Sequence, residues 1–213
     1  MSRGALFDVD GLLADSETLG ARVFRQVVSS RGIEITLEEA ERYQIGRQDK
    51  DSYTLFCQEK EHNLDVEGLV KDHFLIYEKE LPNVPELPGA KDVVRRCHQF
   101  GYKIAAVSGS TLYQVGVILD SLSVRELFAE IIGCDSDITG KPDPDGYLEA
   151  ARKLNVPIVN CLVFEDSSSG IIAGKKAGAY VVGVQGNGKQ DISQADYQVQ
   201  SLKEITDEFL VSF

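Results

Sequence analysis

The stretch FDVDG (residues 7–11) sets two carboxylates, Asp8 and Asp10, at the end of an apolar run and follows them with glycine. Strand interiors disfavour aspartate, and burying a carboxylate is costly unless something pairs with it. A strand that simply ends in a polar turn explains a lone D-x-D-G about as well as a reactive site does, so the rest of the chain has to decide. Reading residues 5–9 as a strand, i and i+2 point the same way, and Asp8 and Asp10 face one site. A carboxylate is ionised at neutral pH and attacks phosphorus without the help of a base. The product is an acyl phosphate, which water can hydrolyse. Asp10 is then placed to protonate the leaving oxygen and afterwards to deprotonate the water.

Three further stretches carry groups that complement such a pair. SGS (108–110) follows the apolar run KIAAV, TGKPDPD (139–145) precedes a helical pattern, and EDSSSG (165–170) follows CLVF. Carboxylates beside a phosphate need a cation, and Mg²⁺ accepts one or two carboxylates with phosphate oxygens and waters. Asp166 is the natural partner of Asp8 on the metal, and Glu165 either binds it directly or orients its waters. Lys141 supplies fixed positive charge for phosphoryl oxygens. Ser108 offers a hydroxyl, and the Gly109 amide can approach a phosphate with no side chain in the way. Singly, each has a plainer account: a turn serine, a solvated loop lysine, acidic residues favoured at a helix N-terminus. Together they fall at the carboxyl ends of strands, where open parallel sheets bind ligands.

The elements that must hold these groups are legible from periodicity. After the strand at 5–9, Ser16 reads as an N-cap for a helix bearing Leu19, Val23, Val27 and Val28 on one face, closed by Gly32. Thr36 and Glu39 form a T-x-x-E capping box for a second helix. Amphipathic stretches follow around Tyr53, Phe56 and Cys57, and through Val66–Tyr77. PNVPELPG (82–89) breaks the pattern, and from there helices alternate with short apolar runs at 103–107, 131–132, 161–164 and 180–184, before a closing helix near 202–209. Such alternation indicates a parallel sheet covered on both faces. The expected architecture is α/β: a Rossmann-like parallel-sheet core from 1–14 and 83–213, with an all-helical cap domain inserted at 15–82.

Composition bounds the function. The chain of 213 residues carries a formal charge of −12 with a sequence pI of about 4.7, which argues against nucleic-acid or anionic-membrane partners. No apolar stretch approaches the roughly 18 residues of a membrane span. The N-terminal apolar run is cut by Asp8 and does not read as a signal peptide. Cys57, Cys97, Cys134 and Cys161 are widely spaced, and His62, His73 and His98 form no ligand cluster. A cytoplasmic setting is the expectation.

FDVDGLLADSE (7–17), VSGS (107–110), GKPDPDGYLEAA (140–151) and FEDSSSGIIAGKKAGA (164–179) resemble, in order and spacing, the four motifs of the haloacid dehalogenase superfamily. The resemblance implies a nucleophile at Asp8, an acid/base at Asp10, phosphate ligands at Ser108 and Lys141, and Mg²⁺ on Asp8, Asp166 and the Asp10 carbonyl. The helical insert is similar to the cap of the branch holding β-phosphoglucomutase and small sugar-phosphate phosphatases. Two departures weigh against the mutase: Gly20 stands where those enzymes carry a cap histidine, and IGRQDK (45–50) replaces the segment of their cap arginine. Arg47 and Lys50 are the candidate contacts to the far end of a substrate. The expected activity is a Mg²⁺-dependent phosphatase, expected as a monomer, acting on a small phosphorylated metabolite such as a sugar phosphate, with a β-phosphoglucomutase-type isomerase as the alternative.

Overall fold

The structure is a computed structural model, and it describes residues 2–44, 47–186 and 190–213. Of the IGRQDK segment, Ile45 and Gly46 lie outside the described residues. The chain divides into two compact units, Met1–Ala14 with Pro85–Phe213 and Asp15–Val84. It begins with strand β1 (Arg3–Phe7), leaves for the inserted unit after Ala14, and returns at Pro85.

The inserted unit is helical: α1 (Ser16–Ser29), α2 (Leu37–Gln44), α3 (Asp49–Glu59) and α4 (Val66–Glu80). Its core is aromatic. Phe24 of α1 stacks on Tyr53 at 4.4 Å between centroids and meets Phe56 edge-on at 5.6 Å, while Tyr43 lies 6.0 Å away. The capping box ahead of α2 is present in full, with Glu39 N donating to Thr36 Oγ1 and Thr36 N to Glu39 Oε2, both at 3.1 Å. At α1 the expectation shifts by one residue. Ser16 is the first residue of the helix, and Asp15 stands at the N-cap position without a side-chain cap.

Buried among these helices is a His73 ring between two partners. Tyr53 Oη lies 3.0 Å from Nδ1, and Asp49 Oδ1 lies 3.5 Å from Nε2, with Tyr77 stacked on the ring. Burial holds the imidazole below its usual range, and Asp49 only partly opposes this. The folded chain therefore takes up the His73 proton less readily than the unfolded chain. Its contribution to stability is complete above the ordinary value of 6.5 and declines as pH falls through and below it. We expect the melting temperature to drop between pH 7 and pH 5 by less in His73→Gln than in wild type. Parallel melting curves would show that another group is responsible.

The other unit is a six-stranded sheet in the order β3-β2-β1-β4-β5-β6. Beyond β1 it contains β2 (Tyr102–Val107), β3 (Phe128–Ile132), β4 (Cys161–Glu165), β5 (Tyr180–Val184) and β6 (Tyr197–Val199), every pairing parallel. Helices α5 (Ala90–Gln99), α6 (Leu112–Ser121), α7 (Asp145–Leu154) and α8 (Ser168–Ala177) precede β2, β3, β4 and β5 in turn, and α9 (Asp207–Ser212) follows β6. Ala5, Leu6 and Phe7 of β1 and Leu162, Val163 and Phe164 of β4 are wholly buried, as strands covered on both faces require. Phe7 and Phe164 stack at 4.6 Å across the pairing.

Three expectations are corrected here. β1 ends at Phe7, so Asp8 and Asp10 lie in the turn after the strand and not on it, although Asp8 N still reaches Phe164 O at 3.0 Å. β6 was not foreseen, because three residues with a glutamine in the middle carry no periodic signal. The closing helix is two pieces, a 3₁₀ turn at Leu202–Glu204 and α9, because Thr206 caps a new start by accepting from Phe209 N at 3.2 Å.

Candidate active site

The strand order places its own reversal at β1, which pairs with β2 on one side and β4 on the other. Ligands of doubly wound sheets bind at such a reversal, outside the carboxyl ends. The three adjacent ends carry Asp8 after β1, Ser108 after β2 and Glu165 closing β4. Gly11, at φ 77°, turns the chain directly behind the aspartates, and its N–H donates to Ala14 O at 3.0 Å.

Each loop is fixed by local bonds. Ser108 N donates to Ile132 O and Cys134 N to Ser110 O, both at 3.0 Å, while Thr111 and Gln114 form a reciprocal capping box that opens α6. Ser110 N donates to Ser108 Oγ at 2.8 Å, so the turn is closed on itself. A Cβ built at Gly109 would meet no protein atom within 4 Å, so packing does not demand glycine there. After β4, Ser167 caps α8 by accepting from Gly170 N at 3.0 Å. A side chain at Gly170 would overlap the Glu165 carboxylate, so this glycine makes the slot that Glu165 occupies.

Lys141 is brought to the centre. Its ammonium pairs with Asp8 and, at 2.6 Å, with Glu165 Oε1. The loop that carries it is tied to α8 through Lys176 Nζ, which donates to Pro142 O at 3.2 Å. Burial opposes the charge on Lys141, but Asp8 and Glu165 outweigh it and hold the ammonium well above the usual lysine range. Burial also pushes the Asp8 carboxyl well above the carboxylate range; Lys141 opposes this, and Glu165 and Asp10 add to it. The two carboxylates of Asp8 and Glu165 thus share the one ammonium of Lys141.

A divalent cation would restore the balance. One carboxylate oxygen from each of Asp8, Glu165 and Asp166 falls within 4.8 Å of the others, a set of hard oxygen donors suited to Mg²⁺. The Asp10 side chain turns elsewhere. Its Oδ2 accepts from Ser108 Oγ at 2.6 Å and from Ser110 Oγ at 2.8 Å.

The structure therefore gathers Asp8, Asp10, Ser108, Lys141, Glu165 and Asp166. Arg47 belongs to the helical unit, where its guanidinium caps the end of α2 by donating to Arg42 O at 2.9 Å and Tyr43 O at 3.4 Å. Lys50 is an exposed residue in the first turn of α3. Two site residues escaped the sequence reading. Ser110 is two positions from Ser108, a spacing that could have flagged it. Tyr147 sits among the buried positions of α7, yet its hydroxyl donates to Glu165 Oε1 at 2.6 Å.

Acidic side chains and a lysine meet at the switch point of a parallel sheet, where α/β proteins bind their ligands. Residues 5–184 match the model of the haloacid dehalogenase-like hydrolase family. The chain belongs to that family. It is similar to hexitol phosphatase B of Escherichia coli (strain K12), 29% identical over 210 residues that cover 95% of this chain and 93% of that protein. It is 28% identical over 208 residues to the bifunctional riboflavin kinase/FMN phosphatase of Arabidopsis thaliana, covering 96% of this chain and 55% of that protein, so it spans about half the length of that relative. Among solved structures, CbbY from Rhodobacter sphaeroides in complex with phosphate superposes with a TM-score of 0.79 at 25% identity, covering 96% of each chain. No helix among the described residues is long and apolar enough to cross a membrane.

Proposed function

We propose that this chain hydrolyses a small phosphorylated metabolite, a sugar phosphate by preference, through a phosphoaspartate at Asp8 with Mg²⁺ as cofactor. It is a phosphoric monoester hydrolase of the haloacid dehalogenase-like family, and similarity to a hexitol phosphatase supports the substrate class. The observation that carries the reading is the position of Asp8. It is a buried carboxylate held by Lys141, with Glu165 and Asp166 completing an oxygen cluster.

Asp8 and Asp166 would hold the metal, with Glu165 beside them. The bound cation would neutralise phosphoryl and carboxylate charge at the reacting centre. An Asp8 oxygen attacks phosphorus and the bond from phosphorus to the leaving oxygen breaks, while Asp10 passes its proton to that oxygen. Asp10 then accepts a proton from a water that attacks the same phosphorus, releasing inorganic phosphate and restoring Asp8. Lys141 stabilises the charge that builds on the phosphoryl oxygens. Ser108 and Ser110 keep the Asp10 carboxyl aimed. The Gly109 amide, with no side chain to obstruct it, is a donor to the phosphoryl group. The helical unit enters the chain five residues after Asp10 and is the part we assign to substrate choice.

The test is phosphate release from a panel of sugar phosphates and other small phosphomonoesters, with Mg²⁺ and with chelator. Metal-dependent release that chelator abolishes and added Mg²⁺ restores is expected. Conversion of a hexose 1-phosphate into its 6-phosphate without phosphate release would overturn the hydrolase in favour of the isomerase.

A further inference from the structure

Tyr147 is wholly buried on α7, in the core that includes Leu6, Val107 and Val163. Its ring centroid lies 5.5 Å from the Lys141 ammonium and its hydroxyl donates to Glu165 Oε1 at 2.6 Å. The same oxygen takes Lys141 Nζ at 2.6 Å. The other oxygen accepts from Asp166 N and Ser167 N, both at 3.1 Å, and from Ser167 Oγ at 2.9 Å. Oε2 is therefore anchored to the turn that opens α8, whereas Oε1 has two donors among the described residues, of unequal stiffness. The lysine ammonium rides on a flexible four-carbon stem. The phenol is rigid and sits on a helix packed against the sheet. Tyr147 is thus the fixed reference for Oε1.

We propose that Tyr147 is a positioning residue of the reaction: its hydroxyl fixes Glu165 Oε1 and so sets where the Lys141 ammonium rests between Glu165 and Asp8. The inference builds on the phosphatase reading above. Without the hydroxyl, Glu165 would draw Lys141 to itself, away from Asp8 and from the phosphoryl oxygens it serves. The carboxylate would also lose its set orientation beside the oxygens of Asp8 and Asp166. A tyrosine that only fills the core predicts something different, because phenylalanine fills the same space.

The test is Tyr147→Phe, with Mg²⁺ affinity measured by calorimetry in the absence of substrate and steady-state kinetics measured beside it. We expect the Mg²⁺ dissociation constant to rise about tenfold, and kcat to fall about tenfold with KM within a factor of about two. A dissociation constant within twofold of wild type in the folded variant overturns the proposal. Should the variant fail to fold by circular dichroism, Tyr147→His, which keeps a ring donor in the same space, is titrated beside Tyr147→Leu, which keeps none. A severalfold weaker Mg²⁺ affinity is expected in Tyr147→Leu than in Tyr147→His, and equal affinities overturn the proposal. Because the metal is titrated without substrate, the result stands whether or not any phosphoester is cleaved.

Discussion

Asp8→Asn will abolish phosphate release, by about 10⁴-fold or more, and will leave the chain folded. The amide cannot attack phosphorus, and no other carboxylate in the site replaces Asp8. Glu165 is wholly buried under five donors, from Tyr147, Lys141, Asp166 N and Ser167 N and Oγ, and the Asp10 side chain is bonded to Ser108 and Ser110. The variant keeps the shape of the side chain, and Lys141 keeps Glu165 as a partner. Stability moves in the other direction from activity. Asp8 is held well above the usual carboxylate range by burial, with Glu165 and Asp10 adding to it against Lys141. A carboxyl raised in the folded state favours folding at low pH and costs stability once the pH rises through its folded value. In chelator at neutral pH the variant should therefore melt at or above the wild-type temperature, and lowering the pH should shift the difference toward wild type. Phosphate release from Asp8→Asn at more than about a thousandth of the wild-type rate would remove Asp8 from the nucleophile's place.

Much of this site could be read from residue order alone, because strand ends announce themselves. An apolar run that stops at polar residues and glycine marks the carboxyl edge of a parallel strand. ALF before Asp8, AAV before Ser108 and LVF before Glu165 are such runs. What periodicity does not carry is pairing in space. That β1 lies between β2 and β4 puts Asp8 against both neighbours, and nothing in the linear order of the motifs states it. Tyr147 escaped for a related reason. On α7 it takes its turn with Ala150, Ala151 and Leu154 as a buried residue, and only the fold reveals that its polar tip meets Glu165. The edge strand β6 and the break before α9 depend on pairing and capping over a few residues, below the length at which a pattern can be counted.

Lys141→Met separates the two tasks of the ammonium that pairs with Asp8 and Glu165. Methionine keeps an unbranched apolar stem of similar length, so the change removes charge more than volume. With chelator present, Asp8 and Glu165 lose the only cation the structure pairs with them among the described residues. Removing one partner of a buried pair leaves the other charge uncompensated and typically costs about 3–5 kcal/mol. Here the loss is shared by two carboxylates, and protonation of Asp8 offers partial relief, so the lower end is expected. Mg²⁺ should return most of that stability, since it binds the folded site and supplies positive charge to the same oxygens. Activity should not return with it. The cation neutralises carboxylates from its own side, but the phosphoryl oxygens lose the fixed ammonium aimed at them, and a preorganised donor of this kind is worth about 10²–10³ in kcat. The expected pattern is a melting temperature depressed in chelator and largely restored by Mg²⁺, beside a kcat that stays low at saturating metal. A variant whose melting temperature does not change on chelation would show that Lys141 does not carry the charge balance of the cluster. A fully active one would show that the lysine serves the fold and not the transferred group.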